Sequence, residues 1–571
     1  MRVSLTACLS QRLLAKENDA VFSVVRRFGA SQPSHLTGAD LIERARAMLS
    51  VWEQACGPGP KTVVLAYGCG ELFLSSLVAG LLADITMVPI AIPRPGSQSD
   101  RTRHIVRDSG ASAVFCEAGQ IDNLGKSLSH AGREDLPCPV VGLGADAAVA
   151  AALQPAREAR VPASPDPDPP VFVQYTSGST RLPKGVRISA EQILANAALC
   201  GDRFGLCETT RFVNWLPHYH DMGLMGGILY PLLRGGFSAQ MSPHEMVRSP
   251  AFWLRTISDL RATVSGGPAF AFAHALAHVS ERDCDGLDLS SWATAFCGAE
   301  PVPADLLPAF RKRFGRAGLR PDAVFACYGL AEYTLYAAGE SAAELPPEVA
   351  EHTCPCRLSA ETRAVIGIFD PDSRLPVAEG ARGEIWLRGP STGRGYLNLP
   401  EESAATFGVA AAGCESDGTW LRTGDIGMIV GEWLYITGRI KDILIANGRK
   451  IAASELEWLA ASQHDALNPA AAAAFMTDPA QGGHAVLIIE RKSSRAVIED
   501  PEGVKDAIVR AVAGEWGITL DEIRVLPRGR LARTSSGKIR RQAIAADWRA
   551  ERQGAGAGCV DTATSMKAAG S

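Results

Sequence analysis

The sequence predicts an α/β protein with a large N-terminal domain of layered sheets and helices and a small mobile α+β C-terminal domain. Apolar bursts such as TVVLAY, from Thr62, alternate with longer helical patterns, which is typical of layers built on largely parallel strands. The chain has 571 residues. A single core stops growing at roughly 250–300 residues, so more than one domain is expected. Near Gly438 short strand-like runs give way to a compact α+β pattern.

These patterns set the expected domain limits. The large domain is predicted over residues 1–437 and the small domain over 438–550. Residues 551–571 are rich in Gly, Ala, Ser and Thr and predict a disordered tail. Within the large domain, a Pro/Asp-rich stretch that ends at Pro170 predicts a surface linker leading into the strand VFVQY.

Composition excludes several classes of protein. Hydrophobic residues make up 46% and charged residues 21%, which fits an ordinary globular protein. A net charge of −5 gives no general attraction to nucleic acid, so none is expected as a partner. The 14 cysteines contain no C-x-x-C pair, which predicts reduced thiols rather than a zinc site.

The chain also shows no targeting or membrane-spanning pattern. Its first residues lack a sustained apolar stretch, so we expect no secretory signal and a cytoplasmic location. The most apolar segment, 72–93, is interrupted by polar residues, glycine and proline. It predicts a buried helix, a turn and a short strand from Met87 to Ile92 rather than a membrane span, which needs roughly 20 apolar residues.

The segment TSGSTRLPKG, residues 176–185, directly follows the VFVQY strand. Its small residues, hydroxyls and backbone amides suit a cradle for phosphate oxygens, and Arg181 and Lys184 add positive charge. It is not a Walker A loop, because Lys184 is followed by Gly185 rather than Ser or Thr. Taken alone, the segment could also be a polar surface loop.

Seven further motifs follow in a fixed order. They are WLPHYHDMGL (215–224), SGGPAFAF (265–272), GAEPV (298–302), CYGLAEYT (327–334), RTGD (422–425), GRIKDILI (438–445) and RTSSGKIRR (533–541). With the phosphate-loop segment, this set resembles the adenylate-forming superfamily of acyl-CoA synthetases, peptide-synthetase adenylation domains and luciferases. The resemblance runs from about residue 20 to residue 548.

Within that superfamily, HDMGL, SGGP and the IPRPG segment near Pro95 resemble the fatty acyl-AMP ligases, which pass an acyl group to a carrier protein. The chain departs from them in two places. The connection from Glu332 to Gly383 is compact, where those enzymes usually carry an insertion. After the small domain begins, GRKIAASELE from Gly448 is closer to a coenzyme A ligase. Both departures concern the acceptor rather than the adenylation step.

The resemblance implies an ATP site with a magnesium ion. Residues implied to hold the phosphates are Thr176, Ser177, Gly178, Ser179, Thr180 and Lys184. Residues implied to hold adenine and ribose are Gly298, Ala299, Glu300, Tyr328, Gly329, Asp425 and Arg439. Glu332 is implied to coordinate Mg²⁺, which prefers hard oxygen ligands. Asp425 would accept hydrogen bonds from the ribose hydroxyls.

The resemblance also assigns the chemistry and the acyl site. Lys538 matches the mobile catalytic lysine, His220 lies near the acyl carboxylate, and Lys441 occupies the hinge position. The residues implied to line the acyl pocket are Asp221, Met222, Gly223, Gly267 and Phe270. Gly223, Gly226 and Gly227 could open a tunnel walled by Phe270 and Phe272, or could simply pack tightly, and both alternatives stay open here.

The leading hypothesis is therefore an enzyme that activates a carboxylic acid with ATP and loads a separate acyl carrier protein. A medium or long fatty acid is the first candidate substrate and another hydrophobic acid the second. An acyl-CoA synthetase is the nearest alternative, and a stand-alone amino-acid adenylation enzyme is less favoured. A silent nucleotide-binding protein is disfavoured by the joint presence of Glu332, Asp425 and Lys538.

Overall fold

The structure is a computed structural model. It describes residues 4–27, 33–57, 61–93, 99–129, 136–145, 149–153, 169–176, 182–342, 353–413, 418–446, 449–477, 484–493, 496–533 and 538–555. The chain divides into two compact units, with the break between Ile440 and Lys441. The sequence predicted this boundary between residues 437 and 438. Most of the predicted Pro/Asp-rich linker, the RPG part of IPRPG, and residues 556–571 lie outside the described residues.

The first sheet of the large unit, sheet A, has seven strands. They are β1 (Ala20–Val25), β2 (Ser34–Thr37), β10 (Arg211–Asn214), β11 (Phe237–Met241), β12 (Val264–Pro268), β13 (Thr294–Gly298) and β14 (Val324–Ala326). Their order is β14-β13-β12-β10-β11-β1-β2, and only β2 runs antiparallel to its neighbour. The largely parallel sheet expected from the sequence is confirmed.

Sheet B repeats this plan. Its strands are β3 (Thr62–Ala66), β4 (Thr86–Pro89), β5 (Ala113–Glu117), β6 (Val140–Leu143), β7 (Val149–Leu153), β8 (Phe172–Thr176) and β9 (Lys184–Ile188). In the order β7-β6-β5-β3-β4-β8-β9, only the two edge strands are antiparallel. The predicted strand Met87–Ile92 is wrong in its limits, because it ends at Pro89. The Ile90 amide still donates to the Leu65 carbonyl at 3.0 Å, but β3 ends at Ala66, so the later residues pass beyond the end of that strand.

The remaining strands of the large unit are antiparallel. Sheet C contains β17 (Cys356–Arg357), β18 (Ile366–Phe369), β19 (Gly383–Leu387), β20 (Val409–Ala410), β21 (Thr419–Val430) and β22 (Trp433–Arg439), and β15 (Tyr328–Gly329) pairs with β16 (Tyr336–Ala338). The GEIWLRG and EWLYITG runs, which the sequence singled out as strand-like, form β19 and β22.

Helices cover the parallel sheets. They are α1 (Leu5–Ala15), α2 (Gly38–Cys56), α3 (Glu71–Leu82), α4 (Ser99–Asp108), α5 (Ile121–Leu128), α6 (Ala190–Phe204), α7 (Tyr230–Leu233), α8 (Pro243–Arg248), α9 (Pro250–Asp259), α10 (Ala269–His278), α11 (Glu281–Cys284), α12 (Leu306–Phe314), α13 (Ala360–Ala364) and α14 (Pro400–Thr406). A π-helix covers Met222–Leu229. Among the described residues, no helix is both long and apolar enough to cross a membrane.

The small unit is an α+β structure with its own core. It contains β23 (Ile443–Ala446), β24 (Arg449–Ala452), α15 (Ala453–Ser462), β25 (Leu467–Met476), β26 (His484–Arg491), α16 (Pro501–Trp516), β27 (Thr519–Leu526) and α17 (Arg541–Ala555). The Ala470–Ala474 run lies inside β25. Helix α17 extends to Ala555, so the expected tail, from residue 551, begins inside a helix.

The topology gathers the sequence motifs. Parallel strands end at one edge of a sheet, and ligands of open α/β sheets bind beyond the carboxyl ends of the strands. In sheet A the WLPHYH segment follows β10, the PAF segment begins at the last residue of β12, the GAE motif spans the end of β13, and the YG pair follows β14. The motifs that are far apart in sequence therefore meet at the carboxyl edge of sheet A.

Candidate active site

Tyr328, Asp425 and Arg439 form a hydrogen-bonded group. The Tyr328 hydroxyl donates to Asp425 Oδ2 at 2.7 Å, and Arg439 Nε lies 2.7 Å from Asp425 Oδ1. The register of β21 and β22 places Asp425 directly opposite Arg439. Burial, followed by the neighbouring Asp425 carboxylate, raises the pKa of Tyr328 well above its ordinary value. The phenol is therefore a fixed donor, and its hydrogen bond together with the Arg439 contact fixes the orientation of the Asp425 carboxylate.

Glu332 lies on a short helical turn after this tyrosine. The Tyr396 hydroxyl donates to Glu332 Oε1 at 2.9 Å. Burial raises the pKa of Glu332, while the Tyr396 hydroxyl and the Arg439 charge oppose that rise and Asp221 adds to it. Glu332 is therefore within electrostatic range of both Arg439 and Asp221. The structure brings the RTGD, HDMGL and YGLAE motifs to one place.

The backbone beside Glu332 is strained. Thr334 has φ 67° and ψ −53°, and the Leu335 amide donates to the Tyr333 carbonyl at 2.8 Å, which closes a γ-turn. This turn is rare, and a β-branched residue at positive φ is an outlier. The buried Thr334 hydroxyl donates to Ser391 O at 2.8 Å, which ties the turn to a neighbouring loop. Strained conformations of this kind are concentrated at functional sites. Here the hydrogen bonds that hold the turn at Thr334 also fix the chain that carries Glu332.

A second strained position lies in the GAE motif. Ala299 has φ 68°, between the end of β13 and Glu300. A Cβ on Gly298 would lie 2.4 Å from the Cys327 carbonyl oxygen, so the end of β13 can approach the next strand only with glycine there. Glu300 Oε1 accepts a hydrogen bond from the Phe270 amide at 3.0 Å. The GAE and PAF segments are thereby tied together.

The phosphate-loop segment is described only at its two ends. Thr176 and Lys184 face each other in the β8–β9 ladder. Lys184 Nζ pairs with the Glu402 carboxylate and lies 5.1 Å from the centre of the Tyr396 ring. Ser177, Gly178, Ser179 and Thr180, all predicted to bind phosphate, lie outside the described residues. Tyr396 thus contacts both Lys184 and Glu332.

The HDMGL motif forms the start of the π-helix. Asp221 caps it by accepting from the Met222 amide at 2.8 Å. A Cβ on Gly223 would lie 2.2 Å from the Pro217 carbonyl oxygen, and one on Gly227 would lie 2.3 Å from Asn214. Both glycines are therefore tightly packed against neighbouring atoms. π-Helical turns occur frequently at functional sites, and this one begins two residues after His220.

The other predicted pocket residues surround one tryptophan. A Cβ on Gly267 would lie 2.5 Å from the ring of Trp215, and the Phe270 ring packs edge-on at 5.9 Å from it. Phe272, in contrast, is fully buried against Trp253, with ring centres 5.9 Å apart. Of the two alternatives that the sequence left open, the position of Phe272 favours tight packing, because its side chain belongs to the core beneath α10.

His218 is a residue that the sequence did not single out. It is 3% exposed, its Nε2 lies 2.9 Å from the Tyr67 carbonyl oxygen, and its ring lies 4.2 Å from that of Phe73. A carbonyl only accepts, so Nε2 carries the hydrogen. Nδ1 is buried without a hydrogen-bond partner in the described part of the chain. Burial lowers the pKa of His218 to about 4. It is neutral, whereas His220, two residues later, is partly exposed.

Tyr396 and Glu402 were also missed, because they lie outside the motifs. Tyr396 is separated from Glu332 by a long stretch of sequence, and no local pattern predicts their hydrogen bond. Residues such as Tyr396 and Glu402, which contact the motif residues from distant parts of the chain, are therefore harder to predict from the sequence than the motif residues themselves.

Two predicted residues lie in or at the start of the small unit. Lys441 begins the continuous C-terminal stretch of this unit and lies in the short helical turn Ile440–Asp442. Lys538 is partly exposed and directly precedes Ile539, which forms an isolated bridge with Arg533. Lys538 therefore belongs to a short segment between β27 and α17.

Comparisons with known proteins give the family. The profile of the family described as AMP-binding enzyme matches residues 14–397. The chain is 30% identical to a Mycobacterium tuberculosis protein named as a fatty-acid–CoA ligase, FadD21, over 96% of this chain and 98% of the relative. It is 31% identical to TtuA of Teredinibacter turnerae, a medium-chain-fatty-acid–acyl-carrier-protein ligase, over 88% and 87%.

A solved structure, from work on fatty acyl-adenylate ligases of E. coli and L. pneumophila, has the same fold. It matches with a TM-score of 0.78 and 27% identity, over 96% of this chain and 98% of that chain. Its match extends through both units, beyond the end of the family profile. The chain therefore belongs to the AMP-binding enzyme family, the adenylate-forming enzymes that use ATP.

Proposed function

We propose that this enzyme activates a fatty acid as acyl-AMP, releases pyrophosphate and transfers the acyl group to the phosphopantetheine thiol of a separate acyl carrier protein. The observation that supports this most directly is that Asp425 pairs with Arg439, and that Arg439 and Asp221 both act electrostatically on Glu332. The named relatives, a fatty-acid–CoA ligase and a carrier-protein ligase, share the fatty acid as substrate.

The first step joins two anions. A carboxylate oxygen attacks the α-phosphorus of ATP, the bond to the bridging oxygen breaks, and pyrophosphate leaves with the electron pair. The enzyme must position both anions and stabilise charge at the α-phosphate, so preorganised cations dominate. In this proposal Lys538 supplies one of these cations, and Lys184 together with Thr176 to Thr180 holds the β- and γ-phosphates.

The nucleoside is held by the Tyr328 group. Asp425 accepts hydrogen bonds from the ribose hydroxyls, while Arg439 keeps its carboxylate oriented. Tyr328 presents its ring to adenine, with Gly298, Ala299, Glu300 and Gly329 along the base. The strain at Ala299 supports this assignment, since a fixed backbone turn at the end of β13 gives the base a preformed edge.

Glu332 suits a magnesium ion. Its carboxylate has a pKa raised by burial, so a nearby cation would stabilise the ionised form. Mg²⁺ keeps several waters and uses one or two protein carboxylates with substrate phosphates. No group of three metal-binding side chains occurs among the described residues, which is compatible with that mode. Bound there, the ion would neutralise charge on the phosphates, and Tyr396 would orient the carboxylate.

The acyl group lies in this proposal beside Phe270, which is partly exposed, and near Gly267 and the buried Trp215 against which Phe270 packs. Their apolar surface favours a hydrocarbon chain over an amino acid, and Asp221 and Met222 begin the wall formed by the π-helix. His220 is placed at the carboxylate end. Because Gly223 and Gly227 contact neighbouring atoms tightly, the pocket follows the aromatic side rather than passing through the glycine face.

Two acceptors of the acyl group have to be compared, a carrier protein and coenzyme A, and both present a thiol on the same phosphopantetheine arm. Relatives of similar identity carry both kinds of name, a coenzyme A ligase and a carrier-protein ligase. The motifs HDMGL and SGGP favour the carrier protein, and the compact 333–382 connection favours coenzyme A. Purified enzyme with preformed acyl-AMP should be offered phosphopantetheinylated carrier protein and coenzyme A separately. We expect faster transfer to the carrier protein, and faster transfer to coenzyme A would reverse the assignment.

Lys538→Ala tests the adenylation step. We expect acyl-AMP formation to fall by roughly 10²–10³-fold or more, the cost of one preorganised donor. ATP affinity should change little, because the large unit supplies the nucleotide contacts. Transfer from supplied acyl-AMP to the thiol should persist. Single-turnover assays of each half-reaction measure this, with circular dichroism to verify folding. Adenylation at the wild-type rate would remove Lys538 from the site.

A further inference from the structure

The segment that carries Lys538 is anchored at its first end by a buried carboxylate. Glu490, on β26, is 1% exposed and accepts a hydrogen bond from the Leu531 amide at 2.6 Å. Arg533 Nη2 lies 3.6 Å from the other oxygen of the same carboxylate. Arg533 also bridges to Ile539 across the segment. Leu531 and Arg533, at the start of the segment, are therefore fixed to strand β26 before the chain reaches Lys538.

The other end is anchored by Arg541, the first residue of α17. Its guanidinium binds Glu457 with two bonds, Nε–Oε1 at 2.6 Å and Nη2–Oε2 at 2.7 Å. Glu457 is 2% exposed and also accepts from the Ala474 amide at 2.9 Å. A planar guanidinium that bonds a carboxylate with two atoms has a fixed orientation as well as a fixed position.

Arg541 has a second carboxylate partner in a different part of the small unit. Its Nη1 lies 3.2 Å from Asp442 Oδ2. Asp442 directly follows Lys441, the residue in the hinge position. Burial alone would lower the pKa of Arg541, but Glu457 and Asp442 outweigh it and the pKa is raised, so the guanidinium is charged throughout the working range.

We propose that Asp442 and Arg541 are positioning residues for adenylation, which join the residue after the hinge to the segment that carries Lys538. When the chain turns at Lys441, Asp442 turns with it, and its ion pair carries Arg541 and the start of α17 along. Lys538 lies three residues before Arg541 and therefore moves with the hinge segment rather than independently. The inference depends on the proposed function, since it takes Lys538 to act in acyl-AMP formation.

Lys538 lies in a short segment between secondary-structure elements, and this placement explains why an ion pair such as Asp442–Arg541 is needed. A connecting segment is less precise than a helix or strand unless surrounding contacts lock it. Displacing a catalytic group by 1 Å can cost about 10²-fold in rate. Glu490 restrains the start of the segment and Glu457 restrains α17. The Asp442 bond links these restraints directly to the residue after the hinge position.

The competing interpretation is that the ion pairs only stabilise the small unit. The two interpretations differ at Asp442. Asp442→Ala leaves the buried pair of Glu457 and Arg541 intact and removes the link to the hinge segment. Arg541→Lys keeps the charge and removes the two-bonded geometry. Arg552→Lys is the matched control, since Arg552 lies on the same helix and pairs with Glu522 at 3.2 Å, away from the Lys538 segment.

The experiment is a double-mutant cycle on the full chain. Acyl-AMP formation is measured for wild type, Asp442→Ala, Lys538→Ala and the double variant, by single turnover with saturating fatty acid. We expect Asp442→Ala to lower kcat about tenfold with the ATP KM unchanged, and Arg541→Lys to act in the same direction. In the Lys538→Ala background the same change should alter the rate less than about twofold, because residues that act through one another are not additive.

Hydrogen exchange provides the second readout. Amides of the segment 531–540 should lose protection in Asp442→Ala and Arg541→Lys but not in Arg552→Lys. An equal loss of rate in both backgrounds, a raised KM with unchanged kcat, or an equal effect of Arg552→Lys would each overturn the proposal. The wild-type enzyme keeps the proposed function separate: if it forms acyl-AMP and Lys538→Ala does so equally well, the function stands and the positioning role fails.

Discussion

Asp425 interacts with two neighbouring side chains before any nucleotide arrives. Its two oxygens are used by Tyr328 and Arg439, both within 2.7 Å. A carboxylate oxygen can accept more than one hydrogen bond, so ribose hydroxyls can share it. The Asp425 carboxylate therefore has two roles: it would bind the ribose, and it accepts the hydrogen bonds of the buried Tyr328 hydroxyl and the Arg439 guanidinium.

Asp425→Ala is expected to raise the ATP KM by at least about tenfold, because charge-assisted hydrogen bonds contribute about 1.5–3 kcal/mol. Thermal stability should fall as well, since Tyr328 loses its acceptor. Steady-state kinetics with ATP as varied substrate and thermal unfolding measure the two effects. Tyr328→Phe is the control, because it removes the hydroxyl but leaves the carboxylate for ribose. A folded Asp425→Ala enzyme with wild-type KM would exclude Asp425 from the nucleotide site.

His218 makes the stability of the large unit depend on pH. Its pKa is about 4 in the fold because of burial, against about 6.5 in an unfolded chain. The unfolded state therefore binds the proton more readily between these values. Above pH 6.5 the contribution to stability is constant, and it is lost as the pH falls towards 4, by up to about 3 kcal/mol.

The test is urea unfolding of wild type and His218→Gln from pH 7.5 to pH 4.5. The glutamine can donate to the Tyr67 carbonyl but does not titrate. We expect the stability of wild type to decline more steeply than that of the variant below pH 6.5. Parallel pH profiles would show that the imidazole is protonated in the folded state without cost.

In the π-helix at Met222–Leu229, glycines that are neighbours in the sequence differ in how tightly they are packed. It contains glycines at 223, 226 and 227, yet these positions have different surroundings. A Cβ at Gly227 would meet the Asn214 side chain at 2.3 Å, whereas one at Gly226 would meet only the end of Leu335 at 3.1 Å. Asn214 donates to Gln240 at 2.8 Å and is buried, so it has little freedom to move.

Gly227→Ala is therefore expected to destabilise the large unit by about 1–3 kcal/mol, the usual cost of overpacking. Gly226→Ala should be within about 0.5 kcal/mol of wild type, because a flexible leucine end can shift and alanine favours helix. Denaturant unfolding of both variants makes the comparison, with the same substitution in the same helix. Equal losses at the two positions would mean that packing against Asn214 does not decide the effect.

The alternation of strands and helices, the parallel sheets and the family motifs were predictable from the sequence, and the structure and comparisons confirm the α/β fold and the family. Limits such as Pro89 were less predictable, because strand ends depend on pairing partners. The Asp425–Arg439 contact follows from the β21–β22 register, which no single motif contains. Tyr396 and Glu402 were unpredictable because their contacts join distant segments, and the π-helix has no distinct spacing of apolar residues.

At the scale of the whole molecule, the enzyme has two units and two half-reactions. Lys441→Pro should leave acyl-AMP formation within about threefold of wild type and slow thiol transfer by at least tenfold, because proline fixes φ near −65° at the position that is proposed to turn. Single-turnover measurement of each half-reaction decides this. Lys441→Ala is the control for loss of the side chain. If proline slows both steps equally, residue 441 is not the hinge.

The γ-turn at Thr334 has a consequence for any attempt to make this enzyme more robust. Non-glycine residues in such conformations cost of order 1–3 kcal/mol, so a glycine at this position would relieve backbone strain. The same replacement would remove the buried hydroxyl that donates to Ser391 O and would free the chain that holds Glu332. Relief of strain and a fixed Glu332 therefore require different residues at one position, and a variant selected for heat resistance should be checked there first.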